Sequence, residues 1–203
     1  MSAIFQNIDP GGLLEYSVVF TDRSLNHMSK NFQNAMNDIS TGLKKVYNAE
    51  SVVVIPGGGT FGMESIARQF ALNKKCLIVR NGWFSFRWSE IIEQCNLSKD
   101  VTVVKAKKNN DNFQASFAPP DINELTKKIL KEKPQVVFAP HVETSAGMVL
   151  PDDYLFKISE AIHSVNGIFV LDCVASGALW VDMKKSGVDV LLSAPQKGWS
   201  STP

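Results

Sequence analysis

The sequence predicts an α/β fold in which a mostly parallel sheet is flanked by helices. Short apolar runs rich in β-branched residues alternate with segments of helix length, which is the order that parallel βαβ units require. Glycine, polar and ionisable residues directly follow most of these runs, as expected where the carboxyl ends of parallel strands form a binding edge. The six apolar runs are residues 52–55, 76–79, 101–104, 136–139, 168–171 and 188–192.

The composition restricts the classes of function. The 203 residues are 44% hydrophobic and 20% charged, which suits one α/β domain. Lysine and arginine number 21 against 20 acidic residues, so no charged surface for nucleic acid or an anionic membrane is expected. No run has the roughly 18 apolar residues of a membrane span, and no secretory signal begins the chain. Three cysteines and three scattered histidines indicate reduced thiols and no metal site, so a cytoplasmic protein is expected.

Helices are predicted from apolar spacing and from capping residues. Apolar side chains recur at helical spacing between residues 29 and 47, which indicates an amphipathic helix. A second helix should begin near Thr60, and a third should follow Asp121, whose side chain suits an N-cap. A fourth should span residues 152–166. The polar segment 107–120 has no clear period and is interpreted as a surface loop.

A glycine run follows the first apolar run. Backbone N–H groups of residues 57–59 could bind a phosphate at the N-terminus of the next helix, although the run could also be only a tight turn between strand and helix. With Gly62, these glycines also match the G-x-G-x-x-G dinucleotide fingerprint, so a Rossmann module is a competing interpretation. The next strand, however, ends in Arg80 and Asn81 and offers no carboxylate for a ribose.

Two ionisable residues lie at the ends of later strands. Lys197 follows the last apolar run, where a desolvated amine can act as a nucleophile. Asp172 ends an apolar strand, so its carboxylate must face solvent at the sheet edge or pair with a cation such as a protonated pyridine nitrogen. His141 opens a neighbouring loop and could line a pocket, but no role is assigned to it.

The order of these motifs is similar to that of class V aminotransferases, notably the alanine–glyoxylate and serine–glyoxylate group, over nearly the whole chain. The motifs are Gly58-Gly59-Thr60, Phe84, Glu143-Thr144, Asp172-Cys173-Val174 and Gln196-Lys197. The resemblance implies the three-layer α/β/α large domain of aspartate aminotransferase, with about seven strands in the complete fold. It assigns residues 29–203 to an incomplete pyridoxal 5′-phosphate-binding domain and residues 1–28 to an N-terminal arm. It also implies a small C-terminal domain that is absent from this sequence.

The resemblance further implies a role for each site residue. Lys197 attaches the cofactor covalently and transfers protons, and Asp172 keeps the pyridine nitrogen protonated, so both are expected to be catalytic. The implied cofactor contacts are Gly58, Gly59, Thr60 and Gln196 at the phosphate, Phe84 or alternatively Trp83 stacked on the ring, Thr144 near the 3-hydroxyl, and Val174 on the opposite ring face.

The implied function is a homodimeric transaminase that moves an amino group from a small amino acid, of the alanine or serine type, to a keto acid such as glyoxylate or pyruvate. Two alternatives stay open. One is another chemistry on the same fold, such as a lyase or an aminoethylphosphonate-type transaminase, and the other is a non-catalytic dinucleotide-binding module. In the family, a later segment supplies the arginine that binds the substrate carboxylate, so the 203-residue chain alone is expected to turn over no amino acid.

Overall fold

Five of the six predicted apolar runs form one sheet in the structure, a computed structural model that describes residues 27–28 and 30–199. The sheet order is β2-β1-β5-β8-β9, and every pairing in it is parallel. Two short antiparallel pairs, β3–β4 and β6–β7, lie in the loops. The strands are β1 (Cys76–Arg80), β2 (Val101–Lys105), β3 (Lys107–Lys108), β4 (Phe117–Ala118), β5 (Val136–Pro140), β6 (Val142–Glu143), β7 (Met148–Val149), β8 (Ile168–Asp172) and β9 (Val190–Leu192).

The helices begin close to where the sequence predicts them. Helix α4 follows Asp121, whose carboxylate accepts hydrogen bonds from the N–H groups of Asn123 and Glu124, as predicted for an N-cap. The helix expected near Thr60 begins at Gly59. The helices are α1 (Lys30–Tyr47), α2 (Gly59–Phe70), α3 (Trp83–Gln94), α4 (Ile122–Glu132), α5 (Asp152–His163), α6 (Met183–Ser186) and α7 (Pro195–Gly198), with a 3₁₀ turn at Thr144–Ala146.

Helices cover both faces of the sheet because successive side chains of a strand point to opposite sides. On one face, Val137 and Phe169 pack with α4 and α5 in one hydrophobic cluster. On the other face, Phe138 and Val170 pack with α2 and α3 in a second cluster. This arrangement confirms the predicted three-layer α/β/α architecture.

Residues 52–55 form no strand, contrary to the prediction from their apolar, β-branched sequence. The side chains of Val53 and Val54 are 82% and 50% exposed. A strand depends on backbone hydrogen bonds to a neighbour, and no strand in the described part of the chain pairs with this run. The propensity of the run is local, whereas strand formation depends on a partner.

The chain divides into two units, residues 1–53 and 54–203. In the first unit the described element is α1, whose last turn carries Lys44 and Lys45, a favourable charge for a helix C-terminus. The second unit contains the sheet and the other helices. The predicted arm, residues 1–28, lies almost entirely outside the described residues, so its boundary stays a prediction. None of the described helices is long and apolar enough to cross a membrane.

Candidate active site

The carboxyl ends of β5, β8 and β9 lie side by side, and the segments that carry predicted site residues follow them. The register pairs Pro140 with Asp172 and Asp172 with Leu192. Asp172 is the last residue of β8, and Lys197 lies in α7, shortly after the end of β9. The parallel topology therefore brings the Asp172 carboxylate and the Lys197 segment to the ends of adjacent strands.

The glycine run forms the N-terminus of α2, with Gly58 as the N-cap residue. The backbone of Gly59 passes so close to the loop after β8 that a Cβ atom there would lie 2.8 Å from Val174 Cγ2. Only glycine fits this approach. Among the described residues, nothing accepts a hydrogen bond from the N–H of Gly59 or Thr60. Two donors at the positive end of a helix are thus available to an anion, next to the predicted ring contact Val174.

Asp172 is a buried carboxylate, 7% exposed, whose Oδ1 accepts the N–H of Val174 at 2.9 Å. Burial raises the pKa of Asp172 to about 6, although the Val174 hydrogen bond and the positive charge of Arg87 oppose the rise. The negative charge of Glu143 adds to it. A carboxylate in this environment is stabilised by a partner that carries a proton or a positive charge, which fits the pyridine nitrogen that the sequence predicts.

Glu143 is a second buried carboxylate, and its position in the sequence predicted no role for it. Its Oε1 accepts the Phe84 N–H at 3.1 Å and the Ser145 hydroxyl at 2.6 Å, and its Oε2 accepts the Ser85 N–H at 2.9 Å and hydroxyl at 2.7 Å. Burial alone would raise the pKa of Glu143, but the hydrogen bonds from Ser145 and Ser85 outweigh it and lower the pKa. The carboxylate therefore caps the N-terminus of α3 and fixes the backbone of Phe84.

This cap depends on a glycine at the start of α3. A Cβ atom on Gly82 would lie 2.7 Å from Glu143 Cδ, so a larger residue would displace the carboxylate. The Trp83 N–H donates to Ser145 Oγ at 2.8 Å, which completes the contact between α3 and the 3₁₀ turn. The available sequence signal was a glutamate beside the predicted contact Thr144, but the N–H groups that it caps lie 59 and 58 residues earlier in the chain.

Phe84 and Trp83, the two candidates for ring stacking, lie in different surroundings. The ring of Trp83 lies 6.1 Å from that of Phe86, and the Arg80 guanidinium lies 4.9 Å from the centre of the Phe86 ring. Trp83 also lines an open surface pocket of about 350 Å³, and it is the only one of the predicted cofactor contacts, alternatives included, that does so. Its lining residues are Arg80, Asn81, Gly82, Trp83, Phe86, Lys105, Ala106 and Phe117. Phe84 lies outside this set and is 41% exposed.

Thr144, Gln196 and Lys197, three further predicted contacts, have exposed side chains. The prediction of a desolvated Lys197 amine is therefore wrong for this chain, because α7 follows β9 on the surface. Gln196 and Lys197 belong to the single turn of α7, which Pro195 begins. The next residue, Gly198, packs on the loop after β8, since a Cβ atom on Gly177 would lie 3.3 Å from Gly198 Cα. The segment that carries Lys197 is therefore in contact with the loop that follows Asp172.

His141 joins the end of β5 to the loop after β8. Its backbone N–H donates to the Asp172 carbonyl at 2.8 Å, and its Nδ1 lies 2.7 Å from Ser176 Oγ. Burial lowers the pKa of His141, so the ring is neutral at physiological pH. These contacts support a structural role in holding the backbone on either side of Asp172.

The cysteines are free thiols, and two of them are buried. Burial raises the pKa of Cys76 to about 11 and raises the pKa of Cys173 as well, which makes both poor nucleophiles. In residues 27–28 and 30–199, no group of three or more His, Cys, Asp or Glu side chains is placed to hold a metal ion.

Sequence comparison identifies relatives that match most of the chain. Alanine–glyoxylate aminotransferase of Rattus norvegicus is 25% identical over 185 residues, which cover 89% of this chain and 42% of the relative. Alanine–glyoxylate aminotransferase 1 of Saccharomyces cerevisiae is 30% identical over 186 residues, which cover 86% of this chain and 45% of the relative. The chain thus spans less than half the length of these curated relatives.

Comparison of structures identifies the same group. The crystal structure of an alanine–glyoxylate aminotransferase from Nostoc sp. has a TM-score of 0.71 at 25% identity, over 87% of this chain and 45% of that chain. The sequence model of the family described as aminotransferase class-V matches residues 13–202, nearly the whole sequence. Members of this family and their structural neighbours are pyridoxal 5′-phosphate enzymes. The chain therefore belongs to the class V aminotransferase family.

Proposed function

We propose that this chain forms the cofactor-binding part of a pyridoxal 5′-phosphate-dependent transaminase. Its amino donor is a small amino acid of the alanine or serine type, and its acceptor is a keto acid such as glyoxylate or pyruvate. The observation that carries the proposal is the buried Asp172 carboxylate, with its pKa raised to about 6, at a strand end adjacent to the Lys197 segment. The glyoxylate in the names of the rat and yeast relatives supports the acceptor.

The residues present fit the cofactor. The open N–H groups of Gly59 and Thr60 at the start of α2 would bind its phosphate, while the close approach of Gly59 to Val174 leaves room for no larger side chain between them. Asp172 would pair with the pyridine nitrogen. Phe84 would stack on the ring, and its backbone is fixed by the Glu143 carboxylate.

When bound, the cofactor supplies an electron sink that stabilises negative charge on the substrate α-carbon. Asp172 favours this chemistry by holding a proton at the pyridine nitrogen. The Lys197 amine would hold the cofactor covalently, and as a free amine it would accept the proton from the substrate α-carbon. Gln196 and Thr144 are proposed to contact the phosphate and the 3-hydroxyl region.

Neither alternative function is favoured by the relatives, which are named mostly as aminotransferases of glyoxylate. A dinucleotide-binding module would also need a strand directly before the glycine run and a carboxylate after the next strand. In the described structure no strand precedes Gly57, and β1 is followed by Asn81.

Borohydride reduction tests the proposal. The chain incubated with pyridoxal 5′-phosphate should develop a visible absorbance band, and reduction should fix the cofactor to the peptide that contains Lys197. Lys197→Ala should abolish this attachment without loss of folding, because the side chain is exposed. Lys184→Ala, at another exposed lysine, is the matched control. Cofactor found by mass spectrometry on a different lysine would show that the assignment of Lys197 is wrong.

The homodimer and the cytoplasmic location expected from the sequence stay predictions. Light scattering coupled to size exclusion would measure the oligomeric state directly. Loss of the absorbance band on addition of an amino acid, and its return with glyoxylate or pyruvate, would distinguish transamination from a lyase reaction.

A further inference from the structure

Arg87 connects the two helices that border the proposed phosphate site. It lies on α3, and its Nη1 donates a hydrogen bond of 2.8 Å to the Thr60 hydroxyl at the start of α2. The two residues are 27 positions apart in the sequence, so only the packing of α2 beside α3 brings them together. No motif in the sequence indicates a role for Arg87.

This hydrogen bond determines what the Thr60 hydroxyl can do. A hydroxyl has one hydrogen to donate, and here its oxygen accepts from a guanidinium that can only donate. Its O–H therefore points away from Arg87, and among the described residues nothing accepts it. With the N–H groups of Gly59 and Thr60, three donors are thus grouped at the N-terminus of α2.

The charge of Arg87 also points to an anion at this place. Its guanidinium forms no ion pair with a carboxylate of the described residues, and it lies beside the positive end of a helix. Two positive groups in contact are unfavourable until an anion lies near both. The field of Arg87 also reaches Asp172, whose pKa it lowers against the effect of burial.

We propose that Arg87 is a positioning residue for the cofactor phosphate: it holds the Thr60 hydroxyl as a donor and supplies a positive charge beside the helix terminus. The inference rests on the proposed function. It extends that function because it names a residue outside the glycine run, Arg87, that makes the site prefer the phosphorylated cofactor to its unphosphorylated form. The test therefore compares binding of pyridoxal 5′-phosphate with binding of pyridoxal, which lacks the phosphate.

Absorbance titration of the chain with each compound gives the ratio of the two dissociation constants. Arg87→Gln should weaken pyridoxal 5′-phosphate binding by about 10- to 100-fold, the range for loss of a charged hydrogen bond, and leave pyridoxal binding unchanged. Arg87→Lys should restore part of the preference for pyridoxal 5′-phosphate over pyridoxal, because lysine keeps the positive charge. Arg80→Gln, which removes the cation that contacts Phe86, is the matched control and should leave the ratio unchanged.

A double-mutant cycle with Thr60→Val tests whether Arg87 acts through the hydroxyl. If it does, the effects of Arg87→Gln and Thr60→Val on the ratio should be clearly less than additive. Equal loss of affinity for both compounds in Arg87→Gln would indicate a structural role and overturn the inference. The proposed function would then still stand if borohydride fixes the cofactor to Lys197. If the unmodified chain binds neither compound, the proposed function fails, and the inference fails with it.

Discussion

At the scale of single residues, the buried carboxylate of Asp172 lowers the free energy of unfolding, and the proposed function uses its charge to bind the cofactor. Its pKa is about 6 in the folded protein because burial penalises the carboxylate, whereas an unfolded aspartate titrates near 4. Between these values the folded state holds the proton more tightly, so the free energy of unfolding falls as the pH rises. Above about pH 6 the penalty is complete.

Asp172→Asn should therefore stabilise the cofactor-free protein above pH 6, by up to about 3 kcal/mol, because an amide has no charge to desolvate. The gain should largely vanish below pH 4, where both states of the unmodified protein are protonated. Urea denaturation at one pH above 6 and one pH below 4 measures this gain in the free energy of unfolding. The control is Asp111→Asn at an exposed position, and an equal gain at the two pH values would contradict the prediction. The same variant should bind the cofactor but lose most turnover in the complete enzyme.

At the scale of elements, α3 depends on a distant carboxylate for its N-terminal cap. Its own N-cap residue, Gly82, has no side chain that could accept a hydrogen bond. Glu143, from the segment after β5, instead accepts the N–H groups of Phe84 and Ser85. The helix terminus is thereby joined to the segment that follows β5, the strand next to β8, so the position of Phe84 relative to Asp172 depends on this cap.

Glu143→Gln should lower the free energy of unfolding by about 1–3 kcal/mol at neutral pH, because an amide replaces one acceptor oxygen with a donor. Hydrogen exchange of the Phe84 and Ser85 amides should accelerate. The pKa of Glu143 is lowered in the folded state, so its contribution is complete above the unfolded value near 4.3 and is lost as the pH falls through the folded value.

The matched control for this change is Glu93→Gln, at an exposed position on the same helix. It should leave both the unfolding free energy and the exchange of the Phe84 and Ser85 amides unchanged. Unchanged exchange of these amides in Glu143→Gln would show that the carboxylate does not cap α3.

At the scale of the whole molecule, the sheet separates two hydrophobic clusters and contributes side chains to both. Strand residues alternate between them, so neighbours such as Val137 and Phe138 belong to opposite layers. The ring of Phe138 lies 4.5 Å from that of Trp88, and both side chains are fully buried. The packing of α3 against β5 therefore depends on this contact.

Phe138→Ala should lower the free energy of unfolding by about 3–5 kcal/mol, because it leaves a cavity that the neighbouring side chains fill only in part. Denaturant unfolding followed by tryptophan fluorescence reports the change through Trp88. Phe113→Ala makes the same substitution at a fully exposed side chain and should have little effect. A loss below 1 kcal/mol at Phe138 would contradict this packing.

The sequence by itself determined the elements whose signals are local. Apolar spacing, the Asp121 cap and the order of strands and helices depend on residues a few positions apart, and the structure agrees with them. The residues that end β8 and follow β9 were also predictable, because parallel strands must bring their carboxyl ends to one edge.

Only the tertiary structure decided the pairings between distant segments. Residues 52–55 have strand propensity but no partner strand among the described residues, and propensity alone does not satisfy backbone hydrogen bonds. The cap by Glu143 and the bond from Arg87 to Thr60 join positions 59 and 27 residues apart. No periodicity or local motif encodes such contacts, because they arise from which helices and strands become neighbours when the sheet forms.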